Sequence, residues 1–145
     1  MGHGINGSAG AGIGAREEAS LRAASSRTQT RAECGRLEVK RGDLVTIALS
    51  GDYGKPRPAL IIQSDLFDVH PSVSILPVTG ELRDAPLFRI EVAPSNANGL
   101  RKTSQVMVDK IQTVARSRVG KTIGRLEQET LVAVNRALAI FLGFA

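Results

Sequence analysis

Between residues 43 and 114 the apolar side chains come in short runs with a period of two, each run broken by glycine, proline, asparagine or serine. A helical period appears once, near the C-terminus. Successive strand residues point to opposite faces, so this pattern dictates sheet, with one amphipathic helix to close over it. Val45, Ile47 and Leu49 alternate with Leu44, Thr46 and Ala48 and predict a half-buried first strand. Ala59-Leu60-Ile61-Ile62 is continuously apolar, which suits a central strand. Residues 73–79 and 88–92 read as a third and a fourth, with Pro77 predicting an edge position or a bulge. Residues 105–109 begin a fifth that continues to Val114 after a bend near Lys110. Ser64 or Asp65 can cap a short helical turn that Pro71 ends. In residues 126–142 the apolar positions Leu131, Val134, Leu138 and Phe141-Leu142 lie on one helical face, Glu127 and Glu129 favour the positive end of the dipole, and Gly143 stops the helix. The expected fold is β-rich α+β, a small barrel of about five to seven strands with a C-terminal helix.

Residues 1–37 differ in kind. They hold seven of the fifteen glycines, their only basic side chains besides His3 are arginines, and large apolar residues are few. Such a segment buries too little surface to offset its ordering entropy, so a disordered tail or an upstream extension is expected there, with the folded domain at 38–145. Gly10-Ala11-Gly12-Ile13-Gly14-Ala15 mimics a dinucleotide fingerprint but follows no strand. Arg41-Gly42-Asp43 reads as the polar entry to the first strand. Gly120-Lys121-Thr122 lacks the upstream glycine of a phosphate loop, since Ala115 stands there. Cys34 is the only cysteine, which excludes an intrachain disulfide and a thiolate metal site, and His3 and His70 have no ligand partner at metal spacing. No run approaches the ~20 apolar residues that span a bilayer, and no secretory pattern opens the chain, so no membrane association and a cytoplasmic location are expected. The net charge of +5 favours an anionic partner.

The candidate chemistry starts at a polar loop, residues 51–56, that holds the lone Tyr53 and Lys55. Arg57 follows between Pro56 and Pro58. Each proline fixes its own φ and pushes the preceding residue towards an extended conformation, so Arg57 is held at the mouth of the second strand. A positioned guanidinium offers phosphate a planar fork of donors that stays charged. The local alternative is a surface arginine in a proline-bounded turn.

Four motifs in order then resemble one family. Lys40-Arg41-Gly42-Asp43-Leu44-Val45, Arg57-Pro58-Ala59-Leu60-Ile61-Ile62, Pro77-Val78-Thr79 and Gln105-Val106-Met107-Val108-Asp109-Lys110-Ile111-Gln112-Thr113-Val114, with the final helix, are similar to the MazF/PemK ribonuclease toxins over about residues 38–144. The resemblance implies an SH3-like barrel, usually a homodimer. It implies sequence-selective cleavage of single-stranded RNA without metal or cofactor, and neutralisation by a cognate antitoxin. It gives catalytic places to Arg57, Thr79 and Asp109. Some members carry a further catalytic arginine two residues before that acid, where this chain has Met107.

Metal-free cleavage can use the 2′-hydroxyl as nucleophile. It needs a base near that hydroxyl, donors for the phosphorane charge and a proton for the leaving 5′-oxygen. Tyr53 is the expected stacking platform for a base, Lys55 and Lys110 are expected to reach RNA, and base preference should lie in loops 51–56 and 80–85. For Thr79 the plain alternative is a strand-end hydroxyl bonded to backbone, and for Asp109 a strand-end salt bridge. Two other functions fit such a barrel: non-catalytic binding of nucleic acid or protein, or gyrase poisoning of the CcdB-like class. The latter relies on a C-terminal tryptophan, whereas this chain ends Leu142-Gly143-Phe144-Ala145.

Overall fold

The computed structural model describes residues 38–48 and 55–145; the expectations for the segment 1–37 and for Tyr53 lie outside the described residues. In chain order come β1 (Asp43–Ala48), β2 (Pro56–Ile61), β3 (Ser72–Thr79), β4 (Arg89–Val92), β5 (Ser104–Met107), β6 (Gln112–Ala115), β7 (Val119–Arg125) and the helix α1 (Gln128–Leu142). Short 3-10 turns occupy Asp65–Phe67, Val108–Lys110 and Arg116–Arg118. All strand pairs are antiparallel. The sheet runs β4-β5-β3-β2-β1-β7, with β6 pairing β3 as well.

The continuous apolar run of β2 is explained by two cores, one on each face of the sheet. Leu60 packs with Leu44, Leu76, Val106 and the helix residues Leu131 and Val134. Its neighbours Ala59 and Ile61 pack with Val45, Ile47, Val73 and Ile75 on the other face. The first strand departs from the half-buried pattern for the same reason, because Leu44 and Val45 are both fully buried, in opposite cores. Each such side chain contributes on the order of 1.5–3 kcal/mol on removal from water.

Pro77 is in neither of the expected places. β3 pairs β2 continuously through Ile75, Leu76 and Pro77. On its other edge it pairs β6 through Ser72 to Ile75 and then β5 at Val78 and Thr79. The Ile62 amide donates to the Ser74 carbonyl, which sets the alternation so that residue 77 turns its nitrogen away from β2. There it meets the gap between β6 and β5, where no ladder bond is lost by a missing N–H. The bend expected near Lys110 is the 3-10 turn that separates those two strands.

The strand β7 escapes the period-two reading altogether. Its sequence Val-Gly-Lys-Thr-Ile-Gly-Arg has two apolar side chains and no buried residue, yet it pairs the outer edge of β1 from Asp43 to Ile47, with two register shifts. The helix buries Leu131, Val134, Ala137 and Leu138. Its last turn runs past the sheet and leaves Ile140, Phe141 and Leu142 exposed, a shorter apolar seam than the spacing predicts. Gly143 ends it at φ 86°, the left-handed cap that favours glycine. Arg41 bonds the sheet entry to the helix, with Nε donating to the Ile62 carbonyl at 2.9 Å and an Nη to Asn135 Oδ1 at 2.7 Å.

The connection between β4 and β5 is tied down by a buried polar knot. Asn98 is fully buried; its Oδ1 accepts from the Ser95 and Leu100 amides, and its Nδ2 donates to the Ala93 carbonyl at 2.8 Å and to Glu127 Oε1 at 3.0 Å. The Ser95 hydroxyl also donates to Glu127 Oε1. That bond, with the Asn98 amide, outweighs burial and holds the Glu127 carboxyl below the usual glutamate value. The folded state therefore binds this proton less readily than the unfolded chain. Its contribution is full at neutral pH and is lost as pH falls from the ordinary glutamate range through the lowered value. Acid melts should show Tm falling across that window. Glu127→Gln should destabilise the protein by about 1 kcal/mol at pH 7 and flatten the fall; an unchanged acid limb in the variant would refute the assignment.

Candidate active site

Arg57 and Thr79 arrive in one cleft of about 840 Å³ between β2, the end of β3, the β4–β5 connection and the turn after β5. Arg57 comes from the mouth of β2, opposite Ile47 of β1, with Pro56 and Pro58 beside it in the wall. Thr79 ends β3, and its Oγ1 accepts from the Glu81 amide at 3.1 Å. That bond uses a lone pair and leaves the hydroxyl proton to donate into the cleft. Gly80 follows, and Lys102 lies so close over it that a methyl added there would stand 2.6 Å from Nζ.

The wall also takes Thr46, Arg101, Lys102, Ser104, Met107, Lys110 and Gln112. Arg57, Arg101, Lys102 and Lys110 put four cations around the space, and no Asp, Glu or His of the described residues lines it. In a partly enclosed space such a wall focuses positive potential and selects a polyanion. Among the described residues no three His, Cys, Asp or Glu gather as a metal centre.

Of the residues singled out from sequence, Arg57, Thr79 and Lys110 meet in this cleft. Lys55 is exposed and precedes the wall residue Pro56. Asp109 does not line the cleft: it lies in the Val108–Lys110 turn, with Oδ1 3.9 Å from Arg89 Nε. His70 is exposed and bonds through Nδ1 to Ser72, away from the cleft. Sequence reasoning missed Arg101 and Lys102, whose one signal is a pair of adjacent cations after Gly99 in a turn-rich connection. The loop 80–85 is fastened by Gln105, which accepts from the Arg83 amide and donates to its carbonyl.

A family model for PemK-like, MazF-like toxins of type II toxin-antitoxin systems matches residues 40–142. A Mycolicibacterium smegmatis protein described as a probable endoribonuclease MazF is 48% identical over 108 residues, covering 74% of this chain and 99% of the relative. The chain belongs to the PemK/MazF toxin family. Endoribonuclease EndoA of Bacillus subtilis is 28% identical over 109 residues, covering 72% of this chain and 94% of the relative. A mycobacterial endoribonuclease solved with its cognate antitoxin superposes with a TM-score of 0.63 at 25% identity, over 74% of this chain and 97% of that one. The MazE–MazF structure from Deinococcus radiodurans shares the fold, with a TM-score of 0.62 at 23% identity over 74% and 98% of the two chains. Met107, at the position where the resemblance expects a further arginine in some members, lines the cleft. It can pack against a base or sugar but cannot carry a proton.

Proposed function

We propose that this PemK/MazF toxin is an endoribonuclease that cuts single-stranded RNA at selected sequences, with the 2′-hydroxyl as nucleophile and a 2′,3′-cyclic phosphate as product. The observation that carries the reading is the joint placement of Arg57 and Thr79 in a cleft lined by four cations and, among the described residues, by no carboxylate. The Arg57 guanidinium stabilises the phosphorane charge through two parallel N–H donors. The Thr79 hydroxyl, held by the Glu81 amide, donates to a non-bridging oxygen. The 2′-oxygen bonds to phosphorus as the P–O5′ bond breaks, water takes the 2′-hydroxyl proton and returns one to the leaving 5′-oxygen, and side chains meet the charge, so the reaction needs no metal. The substrate is single-stranded because bases must splay out of stacking to be read along the wall.

The named relatives support the endoribonuclease reading, and the family description and the mycobacterial complex support an antitoxin as partner. The basic cleft suits an acidic antitoxin segment lying across it. A homodimer fits the apolar residues left exposed at the end of α1, Ile140, Phe141, Leu142 and Phe144. No helix of the described residues is long and apolar enough to cross a membrane, and we place the protein in the cytoplasm, where its substrate is.

Incubation with a long single-stranded RNA in EDTA should give discrete fragments ending in 2′,3′-cyclic phosphate, read by end-group mass spectrometry. Intact RNA with confirmed folded protein would reject the proposal. In the same assay Thr79→Val should slow cleavage by roughly ten- to a hundredfold, the worth of one hydrogen bond to a charged group, while Thr79→Ser stays near wild type. Equal rates for the two variants would remove Thr79 from the chemistry.

A further inference from the structure

Behind the cleft lies an ion pair that the chemistry above does not use. Arg89 stands on β4 opposite Met107 of β5, and its side chain is 5% exposed. Asp109 follows β5 in the Val108–Lys110 turn, and its carboxylate Oδ1 is 3.9 Å from Arg89 Nε. Neither of these two buried atoms has a hydrogen-bond partner. The Asp109 side chain is 26% exposed, and a 3.9 Å pair whose two facing atoms make no hydrogen bond gains little against the cost of burying them, so stability is a poor reason for it to be there. Its location supplies a better one. Met107 and Lys110, on either side of Val108 and Asp109, both line the cleft. Val108 is fully buried in the helix-side core, and its amide donates to the Phe88 carbonyl at 2.9 Å. The turn is thus fixed from behind at two successive residues and presents the next one, Lys110, in front.

We propose that Arg89 and Asp109 are positioning residues for Lys110. This inference rests on the nuclease reading above. The pair sets the direction of the turn, and the Arg89 charge occupies the Asp109 carboxylate. The Lys110 ammonium, next in the chain, is then left to an RNA phosphate instead of its acidic neighbour. Asp109 takes no part in proton transfer.

The sign of one substitution separates this from simple electrostatics. Asp109→Asn removes a negative charge from a basic protein, and by Coulomb attraction alone it should tighten RNA binding. Positioning demands the opposite. Binding is measured by fluorescence anisotropy with a labelled, mixed-sequence 2′-O-methyl RNA of about 20 nucleotides, which cannot be cut because its nucleophile is blocked. Asp109→Asn should weaken binding by roughly five- to twentyfold, a typical coupling between residues in contact. KM for cleavable RNA should rise by a similar factor, with kcat within about threefold of wild type and an unmoved pH–rate profile. Lys110→Ala should do the same, and adding Asp109→Asn to it should cost nothing more. Asp109→Glu, whose extra methylene can close the 3.9 Å gap, should bind as wild type. If stranding the Arg89 charge prevents folding, the uncharged pair Arg89→Met/Asp109→Leu leaves net charge unchanged and should show the same non-additive loss. Tighter or unchanged binding in the asparagine variant, additive losses with Lys110→Ala, or a hundredfold fall in kcat with a lost pH limb would each overturn the proposal. Wild-type protein that binds the blocked RNA but leaves cleavable RNA intact would sink the nuclease reading, while the binding comparison would still test the positioning.

Discussion

Arg57→Ala is expected to lower kcat/KM for single-stranded RNA by roughly a hundred- to a thousandfold, the loss seen when one preorganised donor to a developing oxyanion is removed. The side chain is exposed at the mouth of β2, so its deletion gives up little buried surface. Stability should therefore stay within about 0.5 kcal/mol of wild type, since the two prolines, not the arginine, stiffen that backbone. Loss of activity without loss of Tm is the pattern that assigns the residue to chemistry. Arg57→Lys keeps the charge but not the planar fork, so it should recover RNA affinity more fully than kcat. Cleavage by Arg57→Ala within threefold of wild type would move the charge stabilisation to Arg101, Lys102 or Lys110, the other cations of the wall.

The largest effect on folding should come from Gly99→Ala. Gly99 has φ 70°, and a methyl there would stand 2.0 Å from the Ile123 carbonyl oxygen. On the facing strand, a methyl at Gly124 would stand 2.3 Å from the Asn98 carbonyl carbon. Two backbones touch here, and backbone cannot swing aside as a side chain can. Left-handed strain and overpacking together should cost about 3–5 kcal/mol. For a domain of this size Tm should then fall by roughly 15 °C or more. Gly143→Ala separates the two causes, because Gly143 also has positive φ, 86°, but nothing lies within 4 Å of the added methyl. It should cost only about 1 kcal/mol, the conformational share. Near-equal melts for the two variants would refute the packing account. Cleavage should fall in Gly99→Ala as well, since the lifted connection carries Leu100, Arg101 and Lys102 of the cleft wall.

Local stiffness and apolar period made part of this legible beforehand. Two prolines ahead of a central strand fix Arg57 at its mouth, and an apolar run ends at Thr79, but it is the family resemblance that joins the two into one site. The helix and its glycine stop follow from spacing. β7 could not be read, because an edge strand packed through glycine and polar stems carries no alternation; Gly120 lies against the Thr46 side chain and Gly124 against loop backbone. The sequence does not locate Pro77, because a proline's tolerance depends on which edge its nitrogen faces, and that is set by partners far along the chain. Asp109 has a catalytic place only through the family resemblance, with a strand-end salt bridge as its plain alternative. A 3-10 turn rotates successive side chains by about a third of a circle, so it shares its turn with the cleft residue Lys110 without sharing its direction.

The pairing of β1 has a consequence for synthesis. One edge of β1 finds β2 within a few residues, but its other edge waits for β7, where Asp43 meets Arg125. The cleft spans the same interval, from Thr46 to Ile123. Contacts of such long separation form late, because the intervening chain must be closed into a loop first. A ribosome that has made β1 to β3 therefore carries a sheet without its working cleft. A protein whose target is RNA completes its active site only when nearly the whole domain has emerged from the machine that reads RNA.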